Sequence, residues 1–411
     1  MDAIDKRRRG LKALTGMSNR YGGDPRYVLA GGGNSSWKYG GEMYIKSSGV
    51  SLATITSEGF AGMDRQKLNL IMRKPYDRGD DAKREAEVLA DMMGARLPGY
   101  ENLRPSVETP LHNLFPYEFV LHLHPAIVNG MTCGINGEAA ARELFGDNII
   151  WIPEYKPGYE LSKLCMKMID EYTGAYGGPP RVIFLQNHGV FAAADSVREI
   201  DAIYAEIMDK LDEYAVIKPV ADSPYWKLDS SDSGYLIAGV QAGSIVDRLS
   251  SMPSPPSVVY YSGNPDAAGL LIDGAGGGKT AAHAGKSGRD ERPLSLNGAF
   301  TPDHIVYCKA DYLYLDCAGG DDLLTVLPGR YTAFADKHGY APRVICINGA
   351  GALICANSMA EAENARILFD DALKIIMYSE NFGGPKRLSD ELVDFITHWE
   401  IEQYRSKVAQ K

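Results

Sequence analysis

The chain has 411 residues, a formal net charge of −10, 45% hydrophobic and 23% charged residues. That balance is ordinary for a folded globular protein, and the length calls for two domains rather than one core. The acidic excess argues against nucleic acid or an anionic membrane as partner, and no stretch reads as a membrane span or a secretory signal.

In chain order, two glycine-rich turns come first. Ala30-Gly31-Gly32-Gly33-Asn34-Ser35-Ser36 lies between apolar runs, and Ile45-Lys46-Ser47-Ser48-Gly49 closes the next hairpin. Glycines such as Gly33 let backbone N–H groups approach an anion, Asn and Ser add donors, and Lys46 adds a point charge. Together with Ser106, in Arg104-Pro105-Ser106-Val107-Glu108, they read as a phosphate cradle.

The strand Phe119-Val120-Leu121-His122-Leu123-His124 follows. Strand residues two apart face the same side, so His122 and His124 point together. His188, in Gln186-Asn187-His188-Gly189, is the third candidate ligand, and Glu108 is the acid nearest the same cluster. Before residue 280 the only other histidine is His112, read as structural rather than ligating. Three neutral imidazoles with an open fourth position describe a catalytic metal site, with Zn2+ expected and Mn2+, Fe2+ or Co2+ as alternatives.

The stretch Pro180-Arg181-Val182-Ile183 through Ala194-Asp195-Ser196 recurs as Pro342-Arg343-Val344-Ile345 through Ala356-Asn357-Ser358. Each copy reads strand, tight turn, strand, then a helix, from Val197 to about Val216 and from Met359 to about Tyr378. The place of His188 is Ala350 in the second copy, and His283, His304, His338 and His398 suggest no shared site. The expected domains are therefore 1–220, catalytic; 221–256, a Ser-, Asp-, Gly- and Pro-rich linker; and 257–411, a degenerate repeat serving structure or oligomerisation. Asp273-Gly274-Ala275-Gly276-Gly277-Gly278-Lys279-Thr280 lacks the first glycine of a phosphate loop and reads as a flexible surface loop. Six scattered cysteines without a CxxC pair fit buried thiols in a reducing cytoplasm.

Taken in order, Gly31-Gly32-Gly33-Asn34-Ser35-Ser36, Lys46-Ser47-Ser48-Gly49, Pro105-Ser106-Val107-Glu108, His122-Leu123-His124 and Asn187-His188-Gly189, with Pro157-Gly158, resemble the class II aldolase/adducin family over roughly residues 10–215. Including Asn381-Phe382-Gly383-Gly384-Pro385-Lys386-Arg387-Leu388-Ser389, the chain resembles the aldolase half of bifunctional rhamnulose-1-phosphate aldolase/alcohol dehydrogenases. The resemblance implies an α/β layered fold with a central, mostly antiparallel sheet flanked by helices, followed by a second lobe of related fold. It implies Zn2+ on His122, His124 and His188, with Glu108 as resting ligand or general acid/base. It also implies phosphate contacts from Asn34, Ser48, Gly49 and Ser106, and a homo-oligomer, dimer or tetramer, in which a neighbouring subunit lends a tyrosine; Tyr155 is the candidate. Fuculose-phosphate-type members carry a second Ser before the Glu, and here Val107 stands there.

The reaction so implied is cleavage of a short ketose 1-phosphate, such as rhamnulose 1-phosphate, to dihydroxyacetone phosphate and an aldehyde. Epimerisation of a pentulose phosphate, dehydration or decarboxylation use a similar site, and a non-catalytic adducin-like module is the remaining alternative. No GxGxxG occurs, so no NAD chemistry is expected.

Overall fold

A computed structural model describes residues 3–77, 79–219, 225–263, 298–317 and 322–400. It divides into two compact units, Met1–Val216 with Tyr378–Val408, and Ile217–Met377 with Ala409–Lys411.

The first unit opens with α1 (Ala3–Gly22), then β1 (Asn34–Tyr39), β2 (Glu42–Lys46), β3 (Phe60–Asp64), α2 (Arg65–Ile71), α3 (Asp81–Gly94) and α4 (Thr109–Leu114). It continues through β4 (Phe119–Leu123), α5 (Ala126–Thr132), α6 (Gly137–Phe145), β5 (Ile149–Ile152), α7 (Tyr159–Tyr176), β6 (Val182–Leu185), β7 (Gly189–Ala194) and α8 (Val197–Tyr214). The strands form one sheet in the order β3-β2-β1-β4-β7-β6-β5. Every pairing is antiparallel except β5 with β6.

Strand alternation decides the layering. Phe119, Leu121 and Leu123 of β4 join Val190, Ala192 and Ala194 of β7 in a core shared with Leu14 of α1, Val128 of α5 and Ile200 and Tyr204 of α8. The opposite face sends Val120, Phe191 and Ala193 into a core with Leu111 of α4 and Leu161, Cys165 and Ile169 of α7. His122 has the parity of this second face, beneath α4. Local signals hold the helix ends: Asp64 accepts from the N–H groups of Gln66 and Lys67 at α2, and Ser196 accepts from Glu199 N–H at α8.

The second unit contains β8 (Tyr225–Leu228), β9 (Leu236–Ile237), β10 (Val240–Gln241), α9 (Ala242–Ser250), β11 (Val258–Ser262), α10 (Pro302–Cys308), β12 (Leu313–Leu315), α11 (Leu323–His338), β13 (Val344–Ile347) and β14 (Gly351–Ala356). The helix α12 (Met359–Ser379) leads back into the first unit, where α13 (Asp390–His398) follows. The main sheet of the second unit runs β12-β13-β14-β11-β8, with only β12 and β13 parallel. That is the order and sense of β5-β6-β7-β4-β1. The repeat extends to details: Arg181 pairs with Glu199 at 3.2 Å, and Arg343 pairs with Glu361. Ser358 accepts from Glu361 N–H, as Ser196 does from Glu199.

Two boundaries differ from the expected ones. The stretch 221–256 is not a linker, because β8, β9, β10 and α9 lie within it. Leu228, Ile237, Ile245 and Leu249 are buried in the second unit's core, a short apolar pattern hidden by the Ser, Asp and Gly around it. Residues 378–400 belong to the first unit, with Phe382 buried in that unit's core. The loop expected at 273–293 lies outside the described residues. Among the described residues no helix is long and apolar enough to cross a membrane.

Candidate metal centre

The histidines converge where β4 ends and the β6–β7 turn begins. His122 pairs with Asn34 across to β1 and with Phe191 across to β7. Its ring is fully buried and stacks on Phe191 at 4.0 Å between centroids. Nδ1 lies 3.1 Å from Val190 O. A carbonyl can only accept, so Nδ1 carries the proton and Nε2 turns a lone pair into the cluster. His124 Nε2 is 2.9 Å and His188 Nε2 3.4 Å from His122 Nε2. Gly189 makes this approach feasible, since a Cβ there would sit 2.5 Å from Leu123 O and 2.7 Å from the His124 ring.

Glu108, the residue before α4, completes the group. Its Oε1 is 3.2 Å from His122 Nε2 and 3.5 Å from His188 Nε2, and no hydrogen bond reaches this buried oxygen. Its Oε2 accepts from the Asn34 side-chain amide. Burial pushes the Glu108 carboxyl up, but the charge interaction with His122, and then with His188, outweighs it and holds the group well below the usual carboxylate range. Lone pairs of an imidazole and a carboxylate facing one another at these distances fit a divalent cation. With metal–nitrogen bonds of about 2.0–2.1 Å, tetrahedral ligand atoms lie roughly 3.3 Å apart. Among the described residues this trio is the group of His, Cys, Asp and Glu able to hold a metal ion.

The two glycine-rich turns meet the same end of the sheet. Asn34 opens β1 and reaches Glu108, while Lys46, at the end of β2, is buried with Nζ 3.4 Å from Gly31 O. Ser48 N–H donates to Arg104 O, and Ser47 bridges Pro105, which lays the Lys46–Gly49 turn along the approach to Ser106. Ser106 Oγ accepts from Glu108 N–H at 3.3 Å. Gly33, Asn34, Lys46, Ser48, Gly49 and Ser106 are thus placed on three adjoining segments beside Glu108. His112 stands behind, fully buried, with Nδ1 2.9 Å from Ser36 Oγ; burial keeps it neutral.

Residues 17–211 match the family model described as Class II Aldolase and Adducin N-terminal domain. Residues 17–211 therefore form a domain of the class II aldolase/adducin family. A Bacillus subtilis (strain 168) protein named as the uncharacterized oxidoreductase YuxG is 23% identical over 440 residues, covering 98% of this chain and 59% of that protein. The chain therefore spans under two thirds of that relative's length. A class II aldolase domain from Thermoplasma acidophilum is 25% identical over 50% of this chain and 92% of its own, with a TM-score of 0.42. An L-fuculose 1-phosphate aldolase is 16% identical over 50% of this chain and 84% of its own, with a TM-score of 0.35.

In this class II aldolase domain, Tyr155 is not brought to the histidines. It sits 43% exposed on the loop after β5, lining a cavity of about 820 Å³ with Arg73, Arg84, Lys156 and Ser389. Two contributors escape a reading of the sequence. Ser47 has a buried hydroxyl with no hydrogen-bond partner, a doubled serine in the turn being its only signal. Asn187 hands its amide to Lys386 O at 2.8 Å, a contact no local motif announces.

Proposed function

We propose that the first unit is a metal-dependent aldolase that cleaves a short ketose 1-phosphate, of the rhamnulose 1-phosphate type, into dihydroxyacetone phosphate and an aldehyde. The observation that carries this reading is the side-chain bond from Asn34 to Glu108, which joins the glycine turns to the imidazole cluster. His122, His124 and His188 would hold the cation, with Glu108 as fourth ligand at rest. Zn2+ suits the nitrogen-rich set; Mn2+, Fe2+ and Co2+ are the alternatives. When bound, such a cation supplies Lewis acidity that stabilises negative charge on the substrate's oxygens.

The chain's own groups do the rest. Gly33, Asn34, Ser48, Gly49 and Ser106 present donors to the phosphate, and Lys46 neutralises part of its charge. Glu108, ionised at rest, accepts the proton leaving the C4 hydroxyl as the C3–C4 bond breaks. The O–H electron pair becomes the aldehyde C=O, and the C3–C4 pair stays on the three-carbon fragment. Return of the proton from Glu108 to C3 completes dihydroxyacetone phosphate. Tyr155, contributed by a neighbouring copy of the chain, hydrogen-bonds the departing aldehyde oxygen, and the protein acts as a homo-oligomer in the cytoplasm.

The test is a panel of ketose phosphates assayed for dihydroxyacetone phosphate release, with and without a chelator. Release from rhamnulose 1-phosphate that chelation abolishes supports the proposal. Epimerised, dehydrated or decarboxylated products without release replace aldol cleavage by another reaction of the superfamily. Undiminished turnover by protein verified as metal-free would overturn the account.

A further inference from the structure

We propose that the segment Phe382–Lys386, which the chain reaches only after its second unit, positions His188 through Asn187 and thereby sets the affinity of the histidine cluster for a divalent cation. The inference rests on the reading of that cluster as a metal centre.

Asn187 is the residue before His188 and is 1% exposed. Its φ of 57° places it in the left-handed region, which asparagine adopts more readily than most other non-glycine residues. Two bonds hold it. Its backbone N–H donates to Thr132 O at 3.1 Å, and its side-chain amide donates to Lys386 O at 2.8 Å. The returning segment is itself laced to the loop beyond α5. Asn136 N–H donates to Phe382 O, Ile135 N–H to Gly384 O, and Lys386 N–H to Cys133 O. Phe382 anchors one end, 1% exposed and stacked at 5.2 Å on Tyr214. One loop therefore fixes both the turn that bears His188 and the carbonyl that steadies it.

The second unit supplies an internal comparison. Its matching turn has Gly349 at the place of Asn187, with a φ of 68°, and Ala350 at the place of His188. The turn survives there without the amide, so the backbone shape alone does not require it. The amide is found where the ligand is found. The family model ends at residue 211, so the strap lies outside the matched domain.

Loss of a partner that orients a metal-binding histidine typically weakens metal affinity about 10–100-fold. Asn187→Gly removes the amide while keeping the left-handed turn. Zinc titrated into the full chain against a chromophoric chelator should show a fall of that size, with the metal-free melting temperature close to wild type. Gly384 has a φ of 94°, so Gly384→Val strains the strap and should weaken zinc binding without touching the turn. The double variant should be no weaker than the weaker single one, because both changes break the same bond. Wild-type affinity in Asn187→Gly, or fully additive losses in the double variant, would overturn the proposal. Should Gly384→Val fail to fold, Asn187→Gly decides alone. Failure of the wild-type chain to bind zinc or any other divalent ion would instead remove the metal reading beneath it.

Discussion

Glu108 and His122 divide the labour at the residue scale. His122 is held from three sides, by the Val190 carbonyl, the Phe191 ring and the β4 backbone, which suits the fixed-ligand role proposed for it rather than that of a mobile base. Glu108 has one oxygen tied to Asn34 and one facing the imidazoles without a hydrogen-bond partner. Glu108→Gln leaves the three nitrogens in place, so metal content should stay near wild type while kcat falls about 10²–10⁴-fold. Elemental analysis beside the dihydroxyacetone phosphate assay checks this, and an unchanged kcat would remove Glu108 from the proton transfer. His122→Ala should lose both metal and turnover. The pairing of His122 with His124 was legible because strand periodicity fixes it within three residues. The bond from Asn187 to Lys386 was not, because it joins positions 199 residues apart.

At the scale of elements, α3 and the start of α7 are joined through a buried carboxylate. Glu85 is 4% exposed, lies 3.4 Å from Arg84 Nε and accepts from Tyr159 N–H at 3.3 Å. Burial pushes its carboxyl up to about 7, more than the Tyr159 bond and Arg84 pull it down. In an unfolded chain the group titrates near 4.3. Its contribution to stability is therefore complete below about pH 4.3 and is lost as pH rises through 7, because the folded state resists ionisation. Glu85→Gln keeps an acceptor for Tyr159 and removes the titration. Urea unfolding of the wild type should lose up to about 3 kcal/mol between pH 4 and 8 that the variant does not lose. Parallel profiles would mean that Glu85 titrates in the folded protein as it does in the unfolded chain. The helix starts were legible from Asp64 and Ser196, whereas the two-residue strands β9 and β10 carry too few residues to show a period.

Across the whole molecule, the repeat explains why one chain with two related sheets should hold one metal ion. The echo of Pro180–Ser196 in Pro342–Ser358 was visible as letters, and register now extends it to positions without sequence likeness. His122 pairs with Phe191, and the residue matching Phe191 is Leu353, whose partner is Tyr261. Tyr261 thus stands where His122 stands, and its hydroxyl donates to Ala350 O at 2.5 Å, at the place of His188. Gly263 takes the position of His124, since each lies two residues beyond its match. All three ligand positions are therefore replaced, and a phenol bonded to the backbone occupies the gap. Purified protein loaded with zinc and freed of excess should carry one equivalent per chain by elemental analysis, falling to none in His122→Ala. Tyr261→Phe should leave that equivalent intact, because the proposed site lies in the first unit. A second equivalent in the wild type, or one retained by His122→Ala, would show that a site outside the histidine trio binds metal and that the second unit has kept a function the repeat implies it lost.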